Sequence, residues 1–456
     1  MISKEKCKQI VETAISHGRR RKADGVEVTI TGSNIATSRF ANNGMTQNQC
    51  PDSLDVSVRL LKDGRQARQS TDDYSGKGIR QVVDDALASA SRLEKDPQLI
   101  ALPTLKQVRE LTGKIDRKTV SRSDGKTAQM NADRRADIIG AVIDLALAKQ
   151  LESSGVYASG FSFTALGNSN GVFQYHEETA AEFSVTMERN GASGWAKAQA
   201  ISADDFSPLT LAEKAADTAL RSGNARQLAP GRYTSILPPS AVLDLLCFLH
   251  GDFSATNHLD KLSSLTGKLG KKVFGDNITI VDDAYHALQG GAPFDGEGLP
   301  RSPIVLVDNG VVTNLVNSRI SAAKMGAQPT GHSLQQPSAL GDYALNPVIM
   351  GGTTSLDEMI RSSDRGVLLS RVWYVRTVDP ETVLLTGMTR DGTFYVDKGE
   401  IAYPIKNFRF NVSIHELLNN VLALGPAVRA AGEEGAANVV PAMKVAGFNF
   451  TEVTKF

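Results

Sequence analysis

The chain has 456 residues, of which 41% are hydrophobic and 22% charged, a composition ordinary for a globular protein with room for a large core. Lysine plus arginine equals aspartate plus glutamate at 50 each, so no overall charge attracts nucleic acid or anionic lipid, and no segment reaches the roughly 18 uninterrupted apolar residues of a membrane span. The three cysteines, Cys7, Cys50 and Cys247, form neither a CxxC pair nor a disulfide framework, so we expect a cytoplasmic protein without nucleic-acid or membrane partners.

Hydrophobic periodicity predicts alternating helices and strands in the first half of the chain. Helical spacing of apolar residues predicts helices over 3–18, 75–93, 132–148 and 209–222. Alternating patterns predict strands over 25–31, 35–40, 54–61, 152–166 and 172–189. Asn42-Asn43-Gly44 predicts a turn, because asparagine and glycine tolerate positive φ. Residues 97–112 carry no such pattern and are interpreted as a linker.

The second half is predicted to be richer in strands. It opens with a strand over 233–237, followed by an apolar helix with Ser240 as its N-cap and Gly251 as its end. Further strands are predicted over 278–282, 304–307, 311–315, 344–350, 366–377, 393–396 and 400–405, and helices over 318–325, 355–361 and 413–423. Short hairpins with isolated helices favour an α+β fold with mostly antiparallel sheets. Turn residues at 230–231 suggest two domains, 1–229 and 230–456.

Two histidine–glutamate pairs in the sequence are candidates for a zinc-peptidase site. Such a helix needs a second histidine one turn after the first, so that both reach one metal. His415-Glu416 lacks that partner, since the following positions hold Asn419 and Asn420, and we interpret the pair as exposed polar residues. His176-Glu177 lies in a predicted strand, where neighbouring side chains point to opposite faces.

Cys247 and His250 form the remaining candidate site. Three residues apart on one helix, they could bind a metal or form a thiolate–imidazole pair. Cys247 lies among large apolar residues, however, where a free cysteine usually behaves as a small hydrophobe. His258 and His286 could add ligands, but their spacing is not specific. No nucleotide-binding or nucleophile-elbow motif is present in the sequence.

A series of motifs in fixed order resembles the TldD/PmbA family, the so-called modulators of DNA gyrase, and specifically its PmbA (TldE) branch. The motifs are Pro293-Phe294-Asp295-Gly296-Glu297-Gly298, Asp308-Asn309-Gly310, Ala323-Lys324-Met325-Gly326, Pro329-Thr330-Gly331-His332, the hairpin over 392–405, and Pro441-Ala442-Met443-Lys444-Val445-Ala446-Gly447. Weaker matches in the first half are 166–171 and 228–231. The resemblance covers essentially the whole chain.

The resemblance implies a pair of related subunits. The TldD-type subunit carries an HExxxH helix and a cysteine near its C-terminus, which together bind zinc for peptide hydrolysis. The PmbA-type subunit lacks these ligands and helps to enclose a peptide channel. Aligned on Gly251-Asp252-Phe253, the histidine positions fall on Val242 and Cys247 and the glutamate position on Leu243, and no cysteine occurs in 428–440.

We therefore expect no catalytic, cofactor-binding or metal-binding residues in this chain, with zinc held by the partner subunit. The expected partners are a TldD-type catalytic chain and an extended or unfolded peptide, and a homodimer stays open. Two other roles also stay open. One is a stand-alone hydrolase that uses Cys247 and His250, and the other is a protein-binding regulator, a gyrase modulator without peptidase function.

Overall fold

The computed structural model describes residues 2–118 and 120–454. It is 26% helix and 40% strand, which confirms the predicted α+β class. The helices are α1 (Lys4–Arg20), α2 (Gly76–Ser91), α3 (Leu105–Thr112), α4 (Gly125–Ala128), α5 (Ala132–Ala148), α6 (Pro208–Arg221), α7 (Pro239–Leu246), α8 (Ala255–Leu259), α9 (Arg319–Met325), α10 (Leu356–Arg361) and α11 (Ile414–Asn419). The strands are β1 (Gly25–Ala41), β2 (Gly44–Gln49), β3 (Asp52–Lys62), β4 (Arg65–Thr71), β5 (Glu152–Asn168), β6 (Phe173–Arg189), β7 (Ala192–Ala200), β8 (Gly231–Leu237), β9 (Ile280–Asp282), β10 (Ile304–Asp308), β11 (Val311–Val312), β12 (Pro347–Ile349), β13 (Arg365–Asp379), β14 (Leu384–Asp397), β15 (Glu400–Pro404), β16 (Phe408–Ser413), β17 (Val421–Ala430) and β18 (Asn438–Val453).

The first sheet contains β1 to β7 in the order β4-β3-β1-β5-β6-β7, with β2 added to β1, and all its pairings are antiparallel. Two apolar clusters cover it. One joins α1 and α2 to β1, β3 and β5, and the other joins α5 and α6 to β5, β6 and β7. Helix α6 packs on β7, the last strand of this sheet, and so fixes that edge.

The second sheet contains β8 to β18 and closes on itself in part. Its order is β11-β10-β9-β12-β18-β16-β14-β13-β8, and a further pairing of β18 with β8 makes a ring of five strands. Most pairings are antiparallel, while β8 with β13 and β12 with β18 are parallel. Four phenylalanines lie fully buried in the ring's core: Phe408, Phe410, Phe448 and Phe450.

The predicted break after residue 31 was wrong, because β1 runs unbroken for 17 residues. Gly32 was taken as a strand end, but a Cβ atom there would lie 2.3 Å from the Phe163 ring. The glycine makes room for an aromatic side chain of the neighbouring strand β5 and pairs normally in the ladder. Strand β7 was not predicted, and the described part of the first half contains seven strands beside the helices α1 to α6.

Two further predictions in connecting segments were wrong. The supposed linker over 97–112 contains α3, which Thr104 and Gln107 start with a capping box. The helix predicted over 413–423 ends at Asn419, and β17 begins at Val421 because pairing with β18 gives these residues a ladder. Hydrogen bonding with a distant strand overrode the local helical pattern.

The two sheets meet along a junction rich in buried charges. Strand β7 and helix α6 contact β14, and residues Arg226 and Ile405 form an isolated parallel bridge. The predicted division at residue 230 stays a prediction, although β8 begins at Gly231. None of the helices in the described ranges is long and apolar enough to cross a bilayer.

Candidate functional site

Helix α7 lies where the resemblance places a catalytic helix. Pro238 is its N-cap and Pro239 its first residue, so Ser240 was wrongly predicted as the cap. Proline suits this position because its fixed φ is already helical and its missing N–H is not needed there. After Leu246 the chain tightens into a 3₁₀ helix over Cys247–Phe253.

The loop between β17 and β18, residues 431–437, packs directly on α7. The Asp244 carboxylate accepts hydrogen bonds from the backbone N–H groups of Glu433, Glu434 and Gly435, at 2.8–3.2 Å. Two glycines permit this approach: a Cβ atom at Gly432 would lie 2.0 Å from Asp244 Oδ1, and one at Gly435 would lie 3.0 Å from Cys247 Cβ. Asp244 is fully buried and holds the loop through these hydrogen bonds.

The residues at the family's zinc-ligand and base positions do not fit zinc. Val242 and Leu243 are buried in the apolar core of the second sheet, and their side chains offer no donor atom. Across the described ranges, 2–118 and 120–454, no group of three or more His, Cys, Asp or Glu side chains is arranged to hold a metal ion. The site of α7 and the loop 431–437 is therefore closed by packing and hydrogen bonds of its own.

Cys247 and His250 are close in sequence but do not form a reactive pair. The Cys247 thiol donates to the backbone carbonyl of Asp244 at 3.5 Å. Burial, with the negative charges of Asp244 and Glu434, raises the pKa of this thiol to about 12. Burial lowers the pKa of His250 to about 4. Near neutral pH the thiol is therefore protonated and the imidazole neutral, the opposite of a thiolate–imidazolium pair.

The other candidate histidines lie in unrelated settings. His286 Nδ1 accepts the backbone N–H of Leu288 at 3.2 Å. His258, on α8, has a buried Nδ1 without a hydrogen-bond partner among the described residues. Neither belongs to a metal-binding group in the part of the chain that the structure describes.

In each of the two His-Glu pairs, the histidine and the glutamate contact different residues. His415 is half-buried, not exposed as expected, because its Nε2 lies 2.9 Å from Ser264 Oγ and its ring contacts Phe274 edge-on. Glu416 is exposed and pairs with Arg232. In strand β6 the His176 Nε2 lies 3.8 Å from Glu178. Glu177 accepts a hydrogen bond from the Tyr175 hydroxyl at 3.2 Å.

The charged residues that sequence reasoning missed lie at the junction of the two sheets. Glu27 on β1 accepts from Arg68 on β4 at 2.6 Å. Arg59 Nη1 on β3 lies 3.7 Å from Glu27 and 3.6 Å from Glu297 of the second half, which in turn pairs with Arg319 at 3.3 Å. We call these five residues the junction network, and all but Arg68 and Arg319 are at most 1% exposed.

The motif over 293–298 contains Glu297 and is the part of the sequence that pointed to this network. Within it, Asp295 accepts backbone N–H groups of Glu297, Leu299 and Ser333 at 2.9–3.0 Å. Burial and the nearby Glu297 charge raise the pKa of Asp295 to about 7. His332, from another quoted motif, lies with its Nε2 3.0 Å from Asp282, and both are fully buried. These motifs therefore build the junction and do not supply a metal site.

A cavity of about 300 Å³ opens at the same junction, where β6 and β7 face the second half. Three of its lining residues are charged, Glu178, Arg301 and Arg429, and several others are alanine or glycine. Behind it, Arg122 donates to the carbonyls of Ala284, His286 and Ala287 at 2.8–3.1 Å. No sequence motif marks these arginines.

Three family models match successive parts of the chain. A PmbA/TldA metallopeptidase domain 1 matches residues 26–90, the central domain matches 126–222, and the C-terminal domain matches 230–452. Together they span most of the chain.

Whole-length relatives and solved structures agree with these matches. The metalloprotease PmbA of Escherichia coli O157:H7 is 24% identical over 465 aligned residues, which cover 96% of this chain and 97% of that protein. A metalloprotease of Methanothermobacter thermautotrophicus is 27% identical, over 81% and 86% of the two chains. The structure of TldE from Thermococcus kodakarensis superposes with a TM-score of 0.85 at 18% identity, over 97% of this chain and 100% of that one. A Thermotoga maritima protein described as a candidate modulator of a DNA gyrase gives a TM-score of 0.86 at 19% identity, with the same coverage.

Proposed function

The chain belongs to the PmbA/TldD metallopeptidase family, and from this membership we propose that it is the non-catalytic, PmbA/TldE-type subunit of a two-chain peptidase. A TldD-type partner carries the zinc and cleaves the peptide, and this chain supplies part of the channel wall and of the peptide-binding surface. The observation that carries the proposal is the apolar pair Val242 and Leu243 at the ligand and base positions of α7.

Zinc hydrolysis requires donor atoms on the metal and a group that takes a proton from the bound water. Valine and leucine supply neither. The loop 431–437, in the C-terminal stretch where the family's cysteine is expected, contains no cysteine and is tied to Asp244 instead. Several simultaneous changes would be needed to build a metal site here, so the loss is not a single-residue defect.

Peptide binding in this proposal relies on strand edges. Strand β7 pairs with β6 on one side and with no strand on the other, among the strands described. An extended peptide can add to such an edge through backbone hydrogen bonds, which tolerate many sequences. That suits a peptidase whose substrates are unfolded chains. The alanines and glycines beside β6 and β7 in the junction cavity leave room for such a backbone.

Native mass spectrometry of the protein purified from its own host, without chelators, tests the proposal. We expect a complex near twice the monomer mass of 48.8 kDa, containing a second homologous chain, with zinc on that chain. Zinc retained by this chain without a partner would refute the proposal and direct attention to Cys247, His250 and His258. A zinc-free homodimer as the sole species would also contradict it.

A single substitution provides a second test. Cys247→His places one imidazole at a ligand position but leaves Val242 and Leu243 unchanged, so the purified chain should show no zinc-dependent cleavage of unfolded peptides. Cys247→Ser is the matched control, and it separates this proposal from a stand-alone cysteine hydrolase. Any activity of the chain alone that Cys247→Ser abolishes would favour the hydrolase. The raised pKa of the thiol argues against that role.

A further inference from the structure

The junction cavity has a surplus of positive charge. Arg301 and Arg429 line it, and Glu178 is the one acidic residue among its lining residues. Glu178 is already engaged, since its Oε2 accepts the backbone N–H of Gly291 at 2.7 Å. Two cationic side chains and one acidic side chain therefore line the cavity, which leaves one positive charge in excess among them.

Arg301 is a buried guanidinium whose Nη1 makes no hydrogen bond to the described residues. Its side chain is 6% exposed, and its Nη1 has no partner within the described part of the chain. Asp282 and Asp295 are the acids whose charges act on it, but their oxygens are taken by His332, by the N–H of Asn346 and by three further backbone N–H groups. Buried donors are normally paired, so an unpaired guanidinium calls for a partner outside the protein.

Arg429 enters the cavity from β17, and one of its three guanidinium nitrogens makes no hydrogen bond in the described structure. Its Nη1 donates to the carbonyl of Leu288 at 2.8 Å and its Nη2 to Gln199 Oε1 on β7 at 2.7 Å. Its Nε is buried and unpaired in the described structure. The two neighbouring amides are not free, because Gln289 and Asn346 donate to backbone carbonyls of the second half. The guanidinium groups of Arg301 and Arg429 are thus the cationic donors among the lining residues.

Many of the other residues that line the cavity have small side chains. Ala180 and Ala200 come from β6 and β7, Ala292 follows the glycine pair, and Ala436 and Ala437 come from the loop 431–437. A Cβ atom at Gly290 would lie 3.2 Å from Arg429 Nη2, so glycine lets the backbone approach the arginine. The result is space beside two cations, at a strand edge, within reach of the loop that packs on α7.

We propose that this cavity is a subsite for a carboxylate carried by a bound peptide, held by Arg301 and Arg429. Guanidinium groups bind carboxylates through short, charge-assisted hydrogen bonds. The carboxylate comes either from the peptide's C-terminal residue or from an aspartate or glutamate side chain. The inference rests on the proposed function for the presence of a peptide in the cleft. It adds that this subunit selects for negative charge, whereas β-strand addition alone is indifferent to side chains.

Fluorescence anisotropy with labelled five-residue alanine peptides tests the subsite on the full chain and on its complex with the catalytic subunit. One peptide has a free C-terminal carboxylate, a second is amidated, and two further amidated peptides carry a central glutamate or glutamine. We expect the free-carboxylate or the glutamate peptide to bind about tenfold more tightly than its neutral counterpart. The arm that shows the preference identifies the source of the carboxylate.

Arg301→Met should remove this preference, while Arg232→Met, at a half-exposed arginine paired with Glu416, should leave it intact. If Arg301→Met does not fold, Ala436→Asp places a negative charge at the exposed rim and should repel the same peptides. Equal affinity for all four peptides, or no binding of any, overturns the subsite. A zinc-bearing complex that binds peptides without a charge preference would leave the proposed subunit role standing and refute this inference alone.

Discussion

The site around α7 and the junction between the sheets differ in how they use polar residues. At α7 the side chains are apolar, and its one buried acid, Asp244, is fully engaged with the loop 431–437. At the junction, acids and arginines lie buried together, and Glu27, Arg59 and Glu297 each keep an atom without a hydrogen bond in the described structure. The chain therefore packs α7 with apolar side chains and keeps its buried charges where the two halves and the cavity meet.

For the subunit role proposed above, the difference teaches which part of the molecule can carry function without zinc ligands of its own. Apolar packing at α7 preserves the shape of the subunit, because helix, loop and ring core stay in contact. Incompletely satisfied charges are costly to bury, so their presence at the junction indicates a role beyond stability. Buried charges at such a junction can serve to bind a ligand or to position a bound peptide.

The largest expected effect comes from the junction network. Arg59→Met leaves the buried carboxylates of Glu27 and Glu297 without their shared cation, which should lower the free energy of unfolding by about 3–5 kcal/mol. Chemical denaturation followed by circular dichroism measures it. Arg21→Met is the control, because Arg21 pairs with Asp84 at the surface and should shift the midpoint little. Equal denaturation midpoints for the two variants would contradict this, because the buried ion pairs would then contribute no more stability than the surface pair.

Asp295 should give the junction a pH dependence. Its folded pKa is raised from 3.8 to about 7, so the folded chain holds a proton that the unfolded chain has released. The associated stability is full below about pH 4 and is lost as pH rises through 7, by up to about 4 kcal/mol. Denaturation midpoints of wild type and Asp295→Asn between pH 4.5 and 8 test this. A wild-type-minus-variant difference that does not change with pH would contradict it.

Asp244 should matter less, and locally. Asp244→Ala leaves three backbone N–H groups of 433–435 without their acceptor, at a cost of about 1–3 kcal/mol. Hydrogen exchange of these amides should accelerate far more than that of the ring strands. Asp217→Ala, which removes a surface carboxylate paired with Arg221 on α6, provides the comparison. Unchanged exchange at 433–435 would show that packing alone holds the loop.

The smallest effect concerns reactivity without loss of stability. Cys50 is exposed, while Cys7 and Cys247 have thiol pKa values raised to about 11 and about 12 by burial. A thiol reagent such as 5,5′-dithiobis(2-nitrobenzoate) should label one cysteine quickly at pH 7.5, and Cys50→Ser should abolish that fast phase. A fast phase that persists in Cys50→Ser but disappears in Cys247→Ser would return Cys247 to consideration as a nucleophile.

Local sequence signals predicted the elements that local interactions determine. Helix α5 has the predicted bounds of 132–148, and the turn at Asn42 and Asn43 has the positive φ that these residues tolerate. Helix α9 runs over Arg319–Met325, within one residue of the predicted 318–325. In each case the deciding contacts lie within a few residues.

Contacts between distant residues escaped prediction. Asp244 bonds a loop 189 to 191 residues away, and Arg122 bonds carbonyls more than 160 residues away. Neither the loop that Asp244 bonds nor the segment whose carbonyls Arg122 bonds has a sequence pattern that identifies it as a partner. Arg301 lies three residues after the motif over 293–298, yet its lack of a hydrogen bond in the described structure depends on how Asp282 and Asp295 use their carboxylate oxygens. Family resemblance identified the region, and only the assembled fold identified the contacts.

The closed ring of the second sheet has a consequence for biosynthesis. Strand β18 pairs with β8, β12, β16 and β17, all of which leave the ribosome before it. The first sheet has all of its strands by residue 200, so it can form while the ring is still open. Until β18 arrives, the edges of β8 and β16 are unpaired on that side and exposed to other chains. The interval before residues 438–453 leave the ribosome is therefore the one in which the second sheet is most open to pairing with other chains.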